Sequence, residues 1–320
     1  MAEVMDTLDA LTRPVCKDAS RSQLAVDVQA ALADELSAQT PGNCEGSQPL
    51  RAAMNYSLGL RGKRARGALT LLIVDAWGQK WRSGLDCACA IEMVHTSSLI
   101  FDDLPAMDNA NMRRGRMTNH NVFSEPTAIL AGIALLNDGF ARLAASPSLT
   151  YEQRTIAVAA LASAIGPDGM TGGQQRDLFP LGTDLAYVEI THAMKTGALF
   201  AAAAEIGCIA AGVSGPHKWM LSDFGMLLGK AFQEFDDLLD KCADLSNLGK
   251  DTDQDANTPT IVDLLGHEKA ERRALRQISM AFECLDASAA NGAELRRYVL
   301  DLTRLMRAQI AGTEIQPMNQ

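Results

Sequence analysis

The sequence predicts an all-α fold in a single domain, and three observations carry this prediction. Residues with high helix propensity, namely Ala, Leu, Met, Gln and Glu, are abundant along the chain. Alternating β-branched runs, which are typical of strands, are few. Stretches rich in Pro, Gly and Asn separate mostly helical segments of about 15–25 residues.

The elements follow from hydrophobic spacing and from these breaks. Residues 1–20 are predicted to form a flexible tail, and a single folded domain is predicted to run over 21–320. The first helix is predicted over 21–39, where Leu24, Val28 and Leu32 recur at helical spacing. The predicted breaks, each with Pro or Gly, are 40–49, 77–84, 146–150, 165–173, 213–216 and 245–259.

Composition restricts the class of protein and its compartment. A net charge of -10 argues against a nucleic-acid binder, which normally shows a basic footprint. The 7 cysteines lack the spacing of a zinc site, so we expect free thiols in a reducing compartment. The first residues carry acids where a signal peptide would be basic and then apolar. No apolar run reaches the roughly 20 residues of a spanning helix. A cytoplasmic protein without a transmembrane segment is predicted.

The stretch "LIFDDLPAMD" (99–108) places Asp102 and Asp103 at the end of a helix predicted over 85–103. A proline disfavours helical geometry in the residue before it, so Asp108 can fold back toward the two adjacent carboxylates. Carboxylates at a helix C-terminus face the negative end of the dipole, a cost that bound cations offset. Taken alone, the motif is also typical of a solvated helix end.

A second acidic motif, "FDDLLD" (235–240), changes that balance. One face of the helix predicted over 222–240 carries Gln233, Asp236, Asp237 and Asp240. Gly225 and Gly229 continue this stripe and are expected to leave room for another body. Oxygen ligands without His or Cys favour magnesium, which usually bridges carboxylates to phosphates. The two motifs therefore predict two walls of a cavity with metal at its mouth.

Basic residues cluster in four segments, as a phosphorylated substrate would require. The segments are "LRGKRARG" (60–67), "NMRRGRMTNH" (111–120), "THAMKTGALF" (191–200) and "NLGKD" (247–251). Each alone is more typical of a charged surface. Together with two acidic motifs they predict a diphosphate site, because the planar fork of arginine binds phosphate through two hydrogen bonds.

These motifs resemble, in order and spacing, those of the trans-isoprenyl diphosphate synthases. The resemblance covers roughly 48–270 and is carried by "GKRAR", "EMVHTSSLIFDDLPAMD", "RRGRMTNH", "GGQQRDL", "KTGAL", "FQEFDDLLD" and "GKDTDQD". A lone DDxxD also fits terpene cyclases, but their Asn/Ser/Glu-type second motif is not seen. The resemblance implies a bundle of roughly ten or more helices around a central cavity, usually as a homodimer.

The resemblance also implies substrates and residue roles. Isopentenyl diphosphate is condensed head-to-tail with dimethylallyl, geranyl or farnesyl diphosphate, and pyrophosphate itself removes the proton. Magnesium ions, about three per site, are held by Asp102, Asp103, Asp108, Asp236, Asp237 and Asp240. The allylic diphosphate is held by Arg113, Lys195, Thr196, Gln233 and Lys250, of which Lys195 is also counted as catalytic. Isopentenyl diphosphate is held by Lys63, Arg66, His95 and Arg114.

The length of the product is predicted from the residues before Asp102. Ser97 and Ser98 stand where farnesyl-producing relatives carry aromatic residues, so geranylgeranyl diphosphate is predicted, with farnesyl diphosphate as the alternative. Val94 and Ile91 are the predicted next floor of the cavity. In the competing interpretation, the two serines only allow close helix packing.

Several positions depart from the family pattern. Asn109-Ala110-Asn111 replaces further aspartates of the first motif, and Asn257-Thr258 replaces a Gly-Lys pair before a threonine. We expect weaker affinity for the allylic substrate. A non-catalytic regulatory subunit of a heteromeric prenyl synthase is the competing hypothesis. The residues that argue against it are the intact Asp102, Asp108, Asp236 and Arg113.

Overall fold

The structure, a computed structural model, describes residues 23–37, 46–60, 62–242 and 259–312. Helices account for nearly all of the regular structure in these ranges, which confirms the predicted all-α fold. The predicted tail 1–20, Lys250 and Asn257-Thr258 lie outside the described residues.

Fourteen α-helices occur in the described ranges. They are α1 (Gln23–Ser37), α2 (Gln48–Leu58), α3 (Ala65–Ala76), α4 (Leu85–Asp102), α5 (Asn119–Val122), α6 (Glu125–Ala145), α7 (Tyr151–Ile165), α8 (Met170–Leu178), α9 (Leu185–His192), α10 (Ala198–Ala210), α11 (Pro216–Cys242), α12 (Ile261–Leu265), α13 (His267–Ala287) and α14 (Ala293–Ile310). A 3-10 turn, Trp81–Gly84, precedes α4, and a π-helical turn, Ala193–Gly197, joins α9 to α10. The short strands β1 (Met112–Arg113) and β2 (Arg116–Met117) pair antiparallel.

Helix α4 lies at the centre of the bundle. All residues from Cys87 to Val94 are buried, the pattern of a helix that is surrounded by others. Toward its C-terminal end, Phe101 is partly exposed beside α6, and the other partly exposed residues form one stripe at helical spacing. That stripe consists of His95, Ser98, Leu99 and Asp102. The face that the sequence assigned to substrate is therefore the accessible face of an otherwise buried helix.

Glycines set how closely the neighbouring helices approach one another. A Cβ atom on Gly132 of α6 would lie 2.7 Å from the ring of Phe101 on α4. On α11, a Cβ atom on Gly229 would lie 2.6 Å from the Cα atom of Gly197 in the π-helical turn. The glycine stripe of α11 therefore allows the π-helical turn and α10 to pack closely against this helix.

Candidate active site

The first aspartate motif is the end of α4 and the loop that follows it. The backbone N–H of Asp108 donates to the carbonyl oxygen of Asp102 at 2.9 Å, so the loop folds back as predicted. Burial raises the pKa of Asp102 and of Asp103 to about 6, and the carboxylate of Asp108 adds to both increases. Lys195 opposes the increase at Asp102, and Arg113 opposes it at Asp103. Ionised carboxylates in this environment need cations.

The second motif lies on the last turns of α11. Asp236 is partly exposed and Asp240 is exposed, whereas Asp237 is buried. Burial raises the pKa of Asp237 to about 8, although hydrogen bonds from Gln233 and Ile261 lower it. The three carboxylates of one helical face therefore have different environments.

The second aspartate of each motif is paired within the protein. The Nε atom of Arg113 donates to Oδ1 of Asp103 at 2.6 Å, and Asp103 is only 4% exposed. Asp237 likewise accepts the backbone N–H of Ile261 at 3.1 Å. The first aspartates, Asp102 and Asp236, are partly exposed. The carboxylates of the first aspartates are therefore the more accessible oxygen donors.

This donor set fits magnesium that is shared with a phosphorylated ligand. Within the described ranges, no three carboxylate, imidazole or thiol side chains converge into a metal cage by themselves. Magnesium usually takes one or two carboxylates together with waters and phosphate oxygens. Accessible carboxylates on two separate helix ends suit that mode of binding.

The π-helical turn connects the two motifs through two adjacent residues, Lys195 and Thr196. The ammonium group of Lys195 forms an ion pair with Asp177 of α8 and favours the ionised form of Asp102. The next residue, Thr196, donates from Oγ1 to Oε1 of Gln233 on α11 at 2.6 Å. The structure thus brings these predicted ligands of the allylic diphosphate between the two motifs. Turns of this kind occur frequently at functional sites.

Two of the predicted isopentenyl diphosphate ligands, Arg66 and Arg114, lie beside the third, His95. Nη1 of Arg66 is 3.2 Å from Nε2 of His95, and its guanidinium group stacks over the ring of Phe200. Burial and the nearby cations, Arg66 first and Arg114 among them, hold the pKa of His95 well below its usual range. His95 is therefore neutral. Lys63 lies in the loop before α3, where its carbonyl oxygen accepts from Nε2 of Gln29 at 2.7 Å.

Two acidic residues that hold this site together were not assigned from the sequence. Glu92 is 1% exposed, accepts the backbone N–H of Gly67 at 2.8 Å and lies 3.7 Å from Arg64. Asp177 pairs with Lys195. Both carried a sequence signal, because Glu92 falls on the same helical face as His95 and Asp177 lies within "GGQQRDL".

The two serines of the predicted chain-length position have different environments. Ser97 is buried, and its Oγ atom donates to the carbonyl oxygen of Gly132 on α6 at 2.8 Å. The Oγ atom of Ser98 donates to the carbonyl oxygen of His95 in its own helix at 2.9 Å, and Ser98 lies on the partly exposed stripe of α4. Val94 is fully buried in the core. The helix-packing interpretation therefore describes Ser97, while Ser98 lies on the accessible face of α4.

The loop that departs from the family pattern borders an open cavity of about 650 Å³ on the side of α6. Asn109 and Asn111 line it together with His120 and Glu125, whereas no aspartate of either motif does. Asn109 adopts a left-handed conformation with φ of 50°, which asparagine tolerates better than most residues. Asn109 and Asn111, which depart from the family pattern, therefore lie on a surface of the loop that is separate from the aspartate motifs.

Comparison with known proteins decides the family. The family model for polyprenyl synthetases matches residues 47–293. The chain belongs to the polyprenyl synthetase family. A geranylgeranyl pyrophosphate synthase from Arabidopsis thaliana is 40% identical over 74% of this chain and 70% of its own length. A farnesyl diphosphate synthase from Geobacillus stearothermophilus is 39% identical over 81% of this chain and 89% of its own length.

The fold of this polyprenyl synthetase is also that of solved relatives. A geranyltransferase from Helicobacter pylori, complexed with magnesium and isoprenyl diphosphate, superposes with a TM-score of 0.76 at 27% identity. The match covers 90% of this chain and 98% of the other. The predicted resemblance to isoprenyl diphosphate synthases, and with it the prediction of a prenyltransferase, is confirmed.

Proposed function

We propose that the protein is a magnesium-dependent trans-prenyltransferase that joins isopentenyl diphosphate to an allylic diphosphate and releases geranylgeranyl diphosphate. One observation carries the proposal: two aspartate motifs on separate helices are linked through Lys195 and Thr196 of the π-helical turn, with a buried cationic cluster around His95 beside them. Family membership gives the reaction class. The geranylgeranyl product is supported by the named relative and by the small Ser98 on the accessible stripe.

The carboxylates of Asp102, Asp108, Asp236 and Asp240 would hold magnesium at the mouth of the site, about three ions per site in all. When bound, magnesium would neutralise the charge that develops on the departing diphosphate. Lys195 and Thr196 bind the same diphosphate from the π-helical turn. Arg113, which is oriented by Asp103, adds a charge that cannot be lost at working pH.

Isopentenyl diphosphate is bound by protein cations alone. Lys63, Arg66 and Arg114 supply the charge, and the neutral ring of His95 orients Arg66. The carbon–oxygen bond of the allylic diphosphate breaks, and the double bond of isopentenyl diphosphate attacks the allylic carbon. The isopentenyl unit then loses a proton to the released pyrophosphate. Charges in a buried cluster interact more strongly than in water, which favours a fixed substrate position.

We also propose a cytoplasmic homodimer. Helix α6 exposes Ile129, Leu130 and Ile133, and contiguous exposed apolar surface often marks an interface. By length and composition alone, Glu125–Ala145 and Leu185–Ala210 are also apolar enough to cross a membrane, with 33% and 67% of their apolar windows buried. A second copy of the chain that covers the exposed face of α6 would explain why Glu125–Ala145 is so apolar and yet little buried. The described cysteines are free thiols, which supports a reducing compartment.

Product analysis tests the function. Purified protein is incubated alone with isopentenyl diphosphate, magnesium and each allylic primer, and the products are identified by mass spectrometry. Geranylgeranyl diphosphate is expected. If farnesyl diphosphate is the end product, the proposed prenyltransferase reaction stands and the proposed twenty-carbon product is wrong. No product with any primer, together with activation of an added synthase, would instead show a regulatory subunit.

A further inference from the structure

The buried carboxylate of Asp237 contacts three different elements. Its Oδ1 atom accepts from Nε2 of Gln233 on α11 at 3.2 Å. Its Oδ2 atom accepts the backbone N–H of Ile261, the first residue of α12, at 3.1 Å. Nε2 of His192, the last residue of α9, lies 3.5 Å from the same oxygen. With Asp237 only 6% exposed, both of its oxygens are engaged by the protein.

Two of these contacts hold the π-helical turn. His192 directly precedes the turn, and Gln233 accepts the hydroxyl of Thr196 within it at 2.6 Å. The end of the turn, Gly197, packs directly on Gly229 of α11. The turn is thus held by contacts at His192, at Thr196 and at Gly197. The contacts at His192 and Thr196 both lead to Asp237, the second one through Gln233.

We infer that Asp237 is a positioning residue: it holds the π-helical turn against α11 so that Lys195 and Thr196 face the diphosphate, and it is not itself a magnesium ligand. The neighbouring Asp236 is partly exposed and keeps the ligand role proposed above. That the ligand is a diphosphate rests on the proposed function. The contacts that hold the turn are observed in the structure and do not depend on that function.

Asp237→Asn, with Asp236→Asn as the matched control, separates the two roles. Asparagine offers one acceptor oxygen where aspartate offers two, so either the Gln233 amide or the Ile261 N–H loses its partner. By hydrogen exchange with mass spectrometry, peptides that cover 193–197 and 259–265 should exchange roughly tenfold or more faster in Asp237→Asn. Asp236→Asn should exchange there as the wild type does.

Metal counting gives the second readout. Manganese, which shares the oxygen preference of magnesium, is titrated with inorganic pyrophosphate and followed by electron paramagnetic resonance. Asp237→Asn should bind as many ions as the wild type, and Asp236→Asn fewer. Fewer ions in Asp237→Asn with unchanged exchange overturns the inference. If the wild type binds no manganese with pyrophosphate, the proposed function fails, and the exchange result still decides whether Asp237 holds the turn.

Kinetics give a readout that a purely structural role would not move. Asp237→Asn should raise the KM of the allylic primer several-fold while the KM of isopentenyl diphosphate, bound at Lys63 and Arg66, stays near the wild-type value. Equal increases in both overturn the inference. If Asp237→Asn does not fold, His192→Phe takes its place, because phenylalanine fills the ring volume without a donor. Faster exchange of 193–197 in that variant supports the inference, and wild-type exchange overturns it.

Discussion

Ser97 on α4 donates a hydrogen bond to the carbonyl oxygen of Gly132 on α6 at 2.8 Å. The two helices are in direct contact here, and the ring of Phe101 lies so close to Gly132 that no side chain would fit at that position. A lengthening product cannot pass through a seam packed in this way. We therefore expect the chain length of the product to be set along the partly exposed stripe of α4, where Ser98 lies.

Ser98→Phe should shift the main product from twenty carbons to fifteen. The ring would occupy volume that the last isoprene unit needs, and the packed helices resist movement because overpacking costs about 1–3 kcal/mol. The first condensations should keep much of their rate, since no diphosphate ligand changes. Product analysis by mass spectrometry measures the shift.

Ser97→Ala is the matched control for that variant. It removes the hydrogen bond to Gly132 without adding volume, so stability should fall by about 1 kcal/mol and the product should stay at twenty carbons. Geranylgeranyl diphosphate from Ser98→Phe at the wild-type rate would show that product does not grow along this stripe.

Lys63→Ala should raise the KM of isopentenyl diphosphate roughly tenfold or more, since charge-assisted hydrogen bonds contribute about 1.5–3 kcal/mol. The KM of the allylic primer should stay near the wild-type value, because its proposed ligands in the described residues lie on β1, the π-helical turn and α11 and do not include Lys63. Steady-state kinetics with each substrate varied in turn give both constants. An increase for the primer alone would mean that the two diphosphate sites are exchanged.

Metal-free protein should lose stability as the pH rises from about 5 to about 9. The folded-state pKa of Asp102 is raised to about 6 and that of Asp237 to about 8, above the roughly 3.9 of an exposed aspartate. Carboxyls with a raised pKa contribute stability below the unfolded-state pKa, and this is lost as pH rises through the folded-state values. Thermal unfolding in the presence of a chelator measures the trend.

Asp102→Asn is the control for this pH dependence. The amide cannot ionise, so the decrease in Tm near pH 6 should be smaller by a few degrees than in the wild type. Magnesium with pyrophosphate should restore stability to the wild type at alkaline pH, because the ligand compensates the ionised carboxylates. Parallel Tm curves for the two proteins would exclude Asp102 as a source of the decrease.

Helix propensity and the Pro and Gly breaks were sufficient to predict the all-α fold, because both are local features of the sequence. The helical spacing of His95, Ser98 and Asp102 in the sequence also agrees with the partly exposed stripe that the structure shows on α4. The π-helical turn was not predictable in this way, since its extra residue is stabilised by tertiary contacts such as Gly197 on Gly229. The separate environments of Ser97 and Ser98 depend on the crossing of α4 and α6, which local spacing does not define.

The central claim, that the first aspartates of both motifs act together on a magnesium diphosphate, is tested most directly by turnover in Asp102→Ala and Asp236→Ala. Each variant should keep its fold, as judged by circular dichroism. At saturating magnesium, each should lose turnover by roughly 10²–10³-fold or more, as expected when preorganised charge stabilisation is removed. Turnover near the wild-type value in either variant would contradict the claim.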